Sequence, residues 1–216
     1  MTSDPFGTLS KALWIGGAQW AGKSTVARLL AARYGLTAYH YDYHDARGHL
    51  DRRVAHRVRR RETAADPDPE AVWVNTTPER MTHETLAGFP QRFEWALDDL
   101  RALDSERPII AEGWGLRPEL VAPLLDSPAR MVVLVPTELF RQHQIRQLPR
   151  AAALATRVSD PVRAQRNRIA RDRLVAADVI RSAHKHDIRV IEVDGFLGPD
   201  AVTDVVAGHF APYLKN

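Results

Sequence analysis

Residues 17–24 read Gly-Ala-Gln-Trp-Ala-Gly-Lys-Ser: two glycines separated by four residues, then a lysine and a hydroxyl. That spacing suits the binding of a phosphate chain. Gly17 and Gly22 admit backbone conformations and close approaches that a Cβ would obstruct. The N–H groups of Ala18, Gln19, Trp20 and Ala21 then turn inward around a phosphate, and the N-terminus of the following helix adds its dipole. Lys23 reaches β- and γ-phosphate oxygens, Ser24 offers a hydroxyl to Mg²⁺, and Thr25 stands beside the α-phosphate. An apolar run precedes the loop and an amphipathic run follows it, a context that a chance glycine-rich turn lacks. Lysine is scarce in this chain (Lys11, Lys23, Lys185 and Lys215 are the only ones), which makes its place in the loop conspicuous.

Two carboxylates complete a constellation. Asp42 ends the second predicted strand, within Tyr39-His40-Tyr41-Asp42-Tyr43-His44-Asp45. At the carboxyl end of a parallel strand it faces the crevice that the phosphate loop faces. There it takes the proton of an attacking hydroxyl, or holds Mg²⁺ through water. Glu112 ends Ile109-Ile110-Ala111, the form of a Walker B strand, ahead of a Gly113-Trp114-Gly115 turn. It organises Mg²⁺ water or the acceptor hydroxyl. Asp45 serves either as a helix N-cap or as a substrate contact, and His44 as a polar lining residue. No histidine or carboxylate pair stands at a transition-metal spacing.

Arginines follow the fourth predicted strand. Arg141 is placed to stack on an adenine, and Arg163 and Arg166 open a long helix whose first turns can deliver cations to a transferring phosphoryl group. The other arginines between Arg146 and Arg173 are expected on that helix's wet face. A second basic cluster, from Arg47 to Arg61, is diluted by Asp51 and Glu62 and lacks interleaved aromatics. It reads as a solvated helix face rather than a nucleic-acid surface. Trp73 and Trp114 are candidates to line a pocket for a ring-bearing substrate.

Strands must hold these groups at one edge. Strands are expected at 12–16, 37–41, 108–112, 131–135 and 189–193, separated by helical patterns at 23–34, from Asp45, from Pro78, at 91–103, at 160–183 and from Pro199. Strands alternating with helices predict a three-layer α/β domain with a parallel sheet over residues 1–216. The long gap after the second strand predicts a helical insertion on the substrate side (45–106), and an arginine-rich lid is expected over 142–168. The chain has 216 residues, 44% hydrophobic and 26% charged, with a formal charge of +3 and no cysteine. Disulfides and thiolate metal sites are therefore excluded, and a cytoplasmic protein without a membrane span or signal pattern is expected.

The order of phosphate loop, Asp42, Glu112-Gly113, arginine-rich lid and final strand resembles the nucleoside monophosphate kinase-like superfamily of P-loop kinases. It looks closest to the branch of shikimate kinase, gluconate kinase and chloramphenicol phosphotransferase. The resemblance implies a five-stranded sheet in the order 2-3-1-4-5, ATP·Mg²⁺ as donor and a small-molecule hydroxyl as acceptor. It also sets Gly195, in Asp194-Gly195-Phe196, beside the adenine. Shikimate kinases carry an Asp-x-Asp pair where this chain has Asp42-Tyr43-His44. A nucleoside or nucleotide kinase, and a nucleic-acid-dependent ATPase, are the competing readings. A GTPase is not expected, because no N-K-x-D sequence is present. A monomer or homodimer is expected.

Overall fold

The computed structural model describes residues 4–148 and 156–214. Five parallel strands form one sheet: β1 (Leu13–Gly17), β2 (Thr37–His40), β3 (Ile109–Glu112), β4 (Met131–Pro136) and β5 (Arg189–Val193), in the order β2-β3-β1-β4-β5. β1, β3 and β4 are buried throughout, which is why they read as unbroken apolar runs.

The strand register decides what meets at the carboxyl edge. Ile15 and His40 both pair with Glu112, and Gly17 pairs with Leu134. The phosphate loop, the end of β2 and Glu112 therefore share one edge.

Helices cover both faces. α1 (Thr8–Lys11) precedes β1, and α2 (Lys23–Tyr34) follows the loop and ends at Gly35 in a left-handed conformation. With α9 (Pro199–Phe210) it packs Val26, Leu30, Val206 and Phe210 against Leu13, Ile15, Ile110 and Val132. On the other face α5 (Pro78–Arg101) and α8 (Pro161–Lys185) pack Phe93, Leu97, Leu100 and Val179 against Trp14, Ala111, Met131 and Val133. Each large apolar side chain buried this way contributes about 1.5–3 kcal/mol.

α5 fuses what the sequence suggests as two helices, one starting at Pro78 and one at Gln91. Pro90 lies inside it, and the Arg92 guanidinium donates to Thr85 O and Gly88 O around that position. Pro90 withholds an N–H from Leu86 O, and Arg92 braces the same turn through the neighbouring carbonyls.

The segment after β2 is not the single helix expected from Asp45. It runs as α3 (Tyr41–Tyr43), a π turn over His44–Gly48 and α4 (Leu50–Arg59). α4 has no buried residue; its Arg57 pairs with Asp66 and its Arg52 with Asp98 of α5, and Arg60, just past its end, pairs with Glu62. Another π turn spans Glu70–Val74, and α6 (Pro118–Val121) follows β3. α7 (Glu138–Gln147) enters the expected lid, of which residues 149–155 lie outside the described residues. No helix among the described residues is long and apolar enough to cross a membrane.

Candidate functional site

Between β1 and α2 the loop bends around a crevice of about 340 Å³. Residues 19–25, Asp42, Gln144 and Leu148 line it. Gly17 has φ of 125°, and a Cβ there would lie 2.1 Å from Leu134 O. Ala18 N–H donates to that same carbonyl at 2.9 Å, so the neighbouring strand β4 dictates a glycine at this position. Lys23 is buried and its Nζ donates to Ala18 O at 2.8 Å, which points the cation into the turn it closes. Ser24 is exposed on the crevice wall.

A second cavity of about 270 Å³ shares Ala21, Gly22, Thr25 and Gln144 with the first and extends to Phe140, Val193, Gly195 and Val202. A turn of backbone amides joined to a partly apolar slot matches the two ends of a nucleotide. Phe140, not Arg141, forms the slot's wall. The Thr137 side chain accepts from Phe140 N and sets the phase of α7, leaving Arg141 buried with its Nη1 2.8 Å from Glu138 Oε2.

The acids expected from the sequence come together here. Glu112 is 1% exposed; its Oε1 lies 2.9 Å from His40 Nδ1, while Oε2 is buried with no hydrogen-bond partner among the described residues. Asp42 Oδ1 accepts from Trp114 N at 3.0 Å. Gly113 allows this proximity, since a Cβ there would stand 2.5 Å from Tyr41 Cβ and 3.0 Å from Asp42 Oδ1. Burial pushes the Asp42 carboxyl above the ordinary range; Lys23 opposes the rise and the Glu112 charge adds to it. The hydrogen bond to Glu112 raises His40 in turn. Asp42 interacts with both Lys23 and Glu112, and Glu112, with its orphaned oxygen, lies outside the walls of both cavities; Ser24, Asp42 and Glu112 are the residues available to a divalent cation.

The remaining expectations divide. Trp73 and Trp114 line neither cavity, and the Arg171 guanidinium lies 5.5 Å from the ring of Trp73 and 5.2 Å from that of Trp114. Phe89 meets Trp114 edge to face. Asp45 is buried in an ion pair with Arg92 (3.0 Å) and lines neither cavity. His44 also stands outside both; burial lowers its pKa, and it stacks on Tyr39. Arg163 and Arg166 are exposed near the start of α8, outside the crevice wall.

Cations one and two turns further along α8 approach the loop instead. Trp20, whose φ of 71° is rare for a large side chain, donates from Nε1 to Asp172 Oδ2 at 2.9 Å. Asp172 Oδ1 accepts from Arg171 Nε at 2.8 Å, and the Arg168 guanidinium lies 5.3 Å from the Trp20 ring. Asp172 thereby joins the phosphate loop to the tryptophans beside Arg171. One sequence signal pointed this way: an indole inside a phosphate loop needs a partner for its N–H when buried.

No protein-family model matches the sequence, and no curated protein matches it. Solved structures do share the fold. Shikimate kinase from Acinetobacter baumannii, determined with shikimate bound, is 14% identical with a TM-score of 0.51, over 99% of this chain and 100% of that one. Thymidylate kinase from Candida albicans is 13% identical, also with a TM-score of 0.51, over 94% of this chain and 92% of that one. The chain has the P-loop fold of these kinases, strand order included.

Proposed function

We propose that this chain is an ATP-dependent phosphotransferase that moves the γ-phosphoryl group of ATP to a hydroxyl of a small molecule. The observation that carries this reading is the meeting of Lys23, Asp42 and Glu112, whose Oε2 has no hydrogen-bond partner among the described residues, at one sheet edge beside the loop of residues 19–25. The fold shared with shikimate and thymidylate kinases supports it.

In this reading the adenine enters the slot between Phe140, Val193 and Gly195, and the phosphates follow the loop. Lys23 leaves Ala18 O for phosphate oxygens. Asp42 accepts the acceptor's proton as its oxygen bonds to the γ-phosphorus and the bond to the β–γ bridging oxygen breaks, releasing ADP. A carboxyl raised above its ordinary range is the better proton acceptor of its kind. Mg²⁺, held by Ser24, Glu112 and Asp42, supplies charge neutralisation on the phosphate oxygens when bound. Glu112 is anchored by His40 through one oxygen, so the other is aimed without reorganisation. Besides Arg163 and Arg166, Arg168 beside the Trp20 ring and Arg171 beside Asp172 are candidate cations for the transferring phosphoryl group.

A second reading, an acceptor that is itself a nucleoside or nucleotide, is favoured by the two indoles flanking Arg171. Both readings are tested by ATP consumption with Mg²⁺ against a mixed panel of nucleosides, sugars, metabolites and antibiotics, with the Lys23→Ala variant as blank. Stimulation by one compound, giving a product heavier by one phosphate, establishes the activity and names its acceptor class. Turnover raised by RNA or DNA and by no small molecule would refute the proposal.

A further inference from the structure

We propose that His44, His49 and Asp99 form a binding site for one transition-metal ion of the Zn²⁺ class, outside the walls of both cavities. One ligand atom from each residue lies within 4.8 Å of the others. Their juxtaposition has a local cause. His44 and His49 are five residues apart, which an α-helix would turn to different faces. The backbone over His44–Gly48 is instead a π turn, and His49 N donates to His44 O at 2.8 Å. That five-residue hydrogen bond brings the two imidazoles above one another, with ring centres 6.1 Å apart. The sequence shows no metal spacing because a five-residue repeat is productive only in this rare conformation.

Asp99, on α5, closes the triangle. Its Oδ2 lies 2.7 Å from His49 Nε2 and 3.4 Å from His44 Nδ1. Four ligands at about 2.0–2.1 Å around Zn²⁺ stand roughly 3.3 Å apart, so the second distance already fits and the first has to widen. The incoming ion takes the place of the proton shared by His49 Nε2 and Asp99 Oδ2, and the His49 proton then resides on Nδ1. That Nδ1 is buried without a partner among the described residues. Two side chains hold the ligands in place: Tyr39 OH donates to Asp99 Oδ2 at 2.9 Å, and the Tyr39 ring stacks on His44 at 4.4 Å. Such outer contacts are what orient metal ligands. The Arg52 guanidinium stands 4.0 Å from the other Asp99 oxygen and is shared with Asp98, leaving Oδ2 to face the imidazoles.

Two imidazoles and one carboxylate select Zn²⁺, Co²⁺ or Cu²⁺ over Mg²⁺ and Ca²⁺, which prefer oxygen alone. His44 is partly exposed, which leaves a path for entry and room for water as fourth ligand. The ion would fasten the turn that follows Asp42 to α5.

The test uses tag-free full-length protein equilibrated with Co²⁺, read by bound equivalents and by the visible absorption of a four-coordinate site. One Co²⁺ per chain is expected, displaced by Zn²⁺ and raising the melting temperature. His44→Phe keeps the stack on Tyr39 but removes the ligand nitrogen, and should weaken binding by about a hundredfold or more. Asp99→Asn keeps acceptors for Tyr39 and His49, so it is the second variant, checked for folding by circular dichroism. Loss in both folded variants supports the site. Absence of binding, or binding unchanged in either variant, overturns it; the latter is what exposed histidines such as His184 would give.

Discussion

Two banks of charge, one at the carboxyl ends of β1, β3 and β2 and one along α6, α7 and α8, are finished differently. On the β1–β3–β2 bank, Lys23 Nζ donates to a loop carbonyl, Asp42 is raised by burial, and one oxygen of Glu112 has no hydrogen-bond partner among the described residues. On the second bank every buried charge has an ionic partner, although Arg117 Nη1 and Arg141 Nε are buried without a hydrogen bond of their own among the described residues. Glu138 takes both Arg141 and Arg173 and is pushed down to about 2, first by the hydrogen bond from Arg173. Arg117, fully buried, pairs with Glu119 and Asp178, and Arg171 pairs with Asp172. Unmatched polarity inside a protein is costly and persists where a ligand completes it. The first bank is therefore where chemistry is expected, and the second is mainly framework.

The largest effects should come from the open bank. Asp42→Asn is expected to lower phosphoryl transfer by about 10²–10⁴ while nucleotide binding measured by calorimetry stays nearly unchanged. Full activity in this variant would remove Asp42 as the base. Lys23→Ala should cost about a hundredfold or more in turnover and also weaken nucleotide binding, which separates it from Asp42→Asn. Asp172→Ala bridges the two banks. It leaves the Arg171 charge and the Trp20 N–H without their acceptor, so unfolding by urea should show a loss of about 3–5 kcal/mol, with weaker nucleotide binding. Unaltered nucleotide affinity would mean that the loop keeps its shape without the tether.

Arg173→Ala, within the matched bank, should change stability by less than about 1 kcal/mol, because the pair with Glu138 is largely exposed, and should leave turnover alone. A large loss of turnover would erase the contrast between the banks. The smallest effect concerns His40. Its native pKa is raised above 6.5 by Glu112, so the folded protein holds that proton more tightly than the unfolded chain does. The resulting stability is fully present below pH 6.5 and is lost as pH rises through the native value. The melting-temperature difference between the protein and His40→Gln should therefore shrink over that rise. A constant difference would assign the contact no protonic role.

Much of the open bank was legible because its information is local. Residues 17–24 lie in one stretch, and Glu112 closes an apolar run whose strand character is plain; Asp42, expected at the end of the second strand, lies two residues past β2 in α3. The matched bank was harder to read, because helical phase rather than composition chooses which arginine faces inward. Thr137 fixes α7 so that Phe140 reaches the slot and Arg141 does not. On α8 the residues reaching Trp20 are Arg168 and Asp172, a turn apart, while Arg163 and Arg166 stay outside. The π turn at His44 hid the alignment with His49 for the same reason, since ordinary helical spacing separates them.

Trp20 and Asp172 are 152 residues apart in the chain. A growing polypeptide that has emerged only as far as β4 carries the entire phosphate-loop signature, Asp42 and Glu112. It still lacks the acceptor that holds the Trp20 indole in its left-handed backbone position, a conformation costing about 1–3 kcal/mol when unsupported. The cradle is thus spelled out early in synthesis and set late, when α8 docks. A ligand of this loop consequently rewards completed chains over partial ones, so its supply can bias the outcome of folding as well as the rate of any reaction.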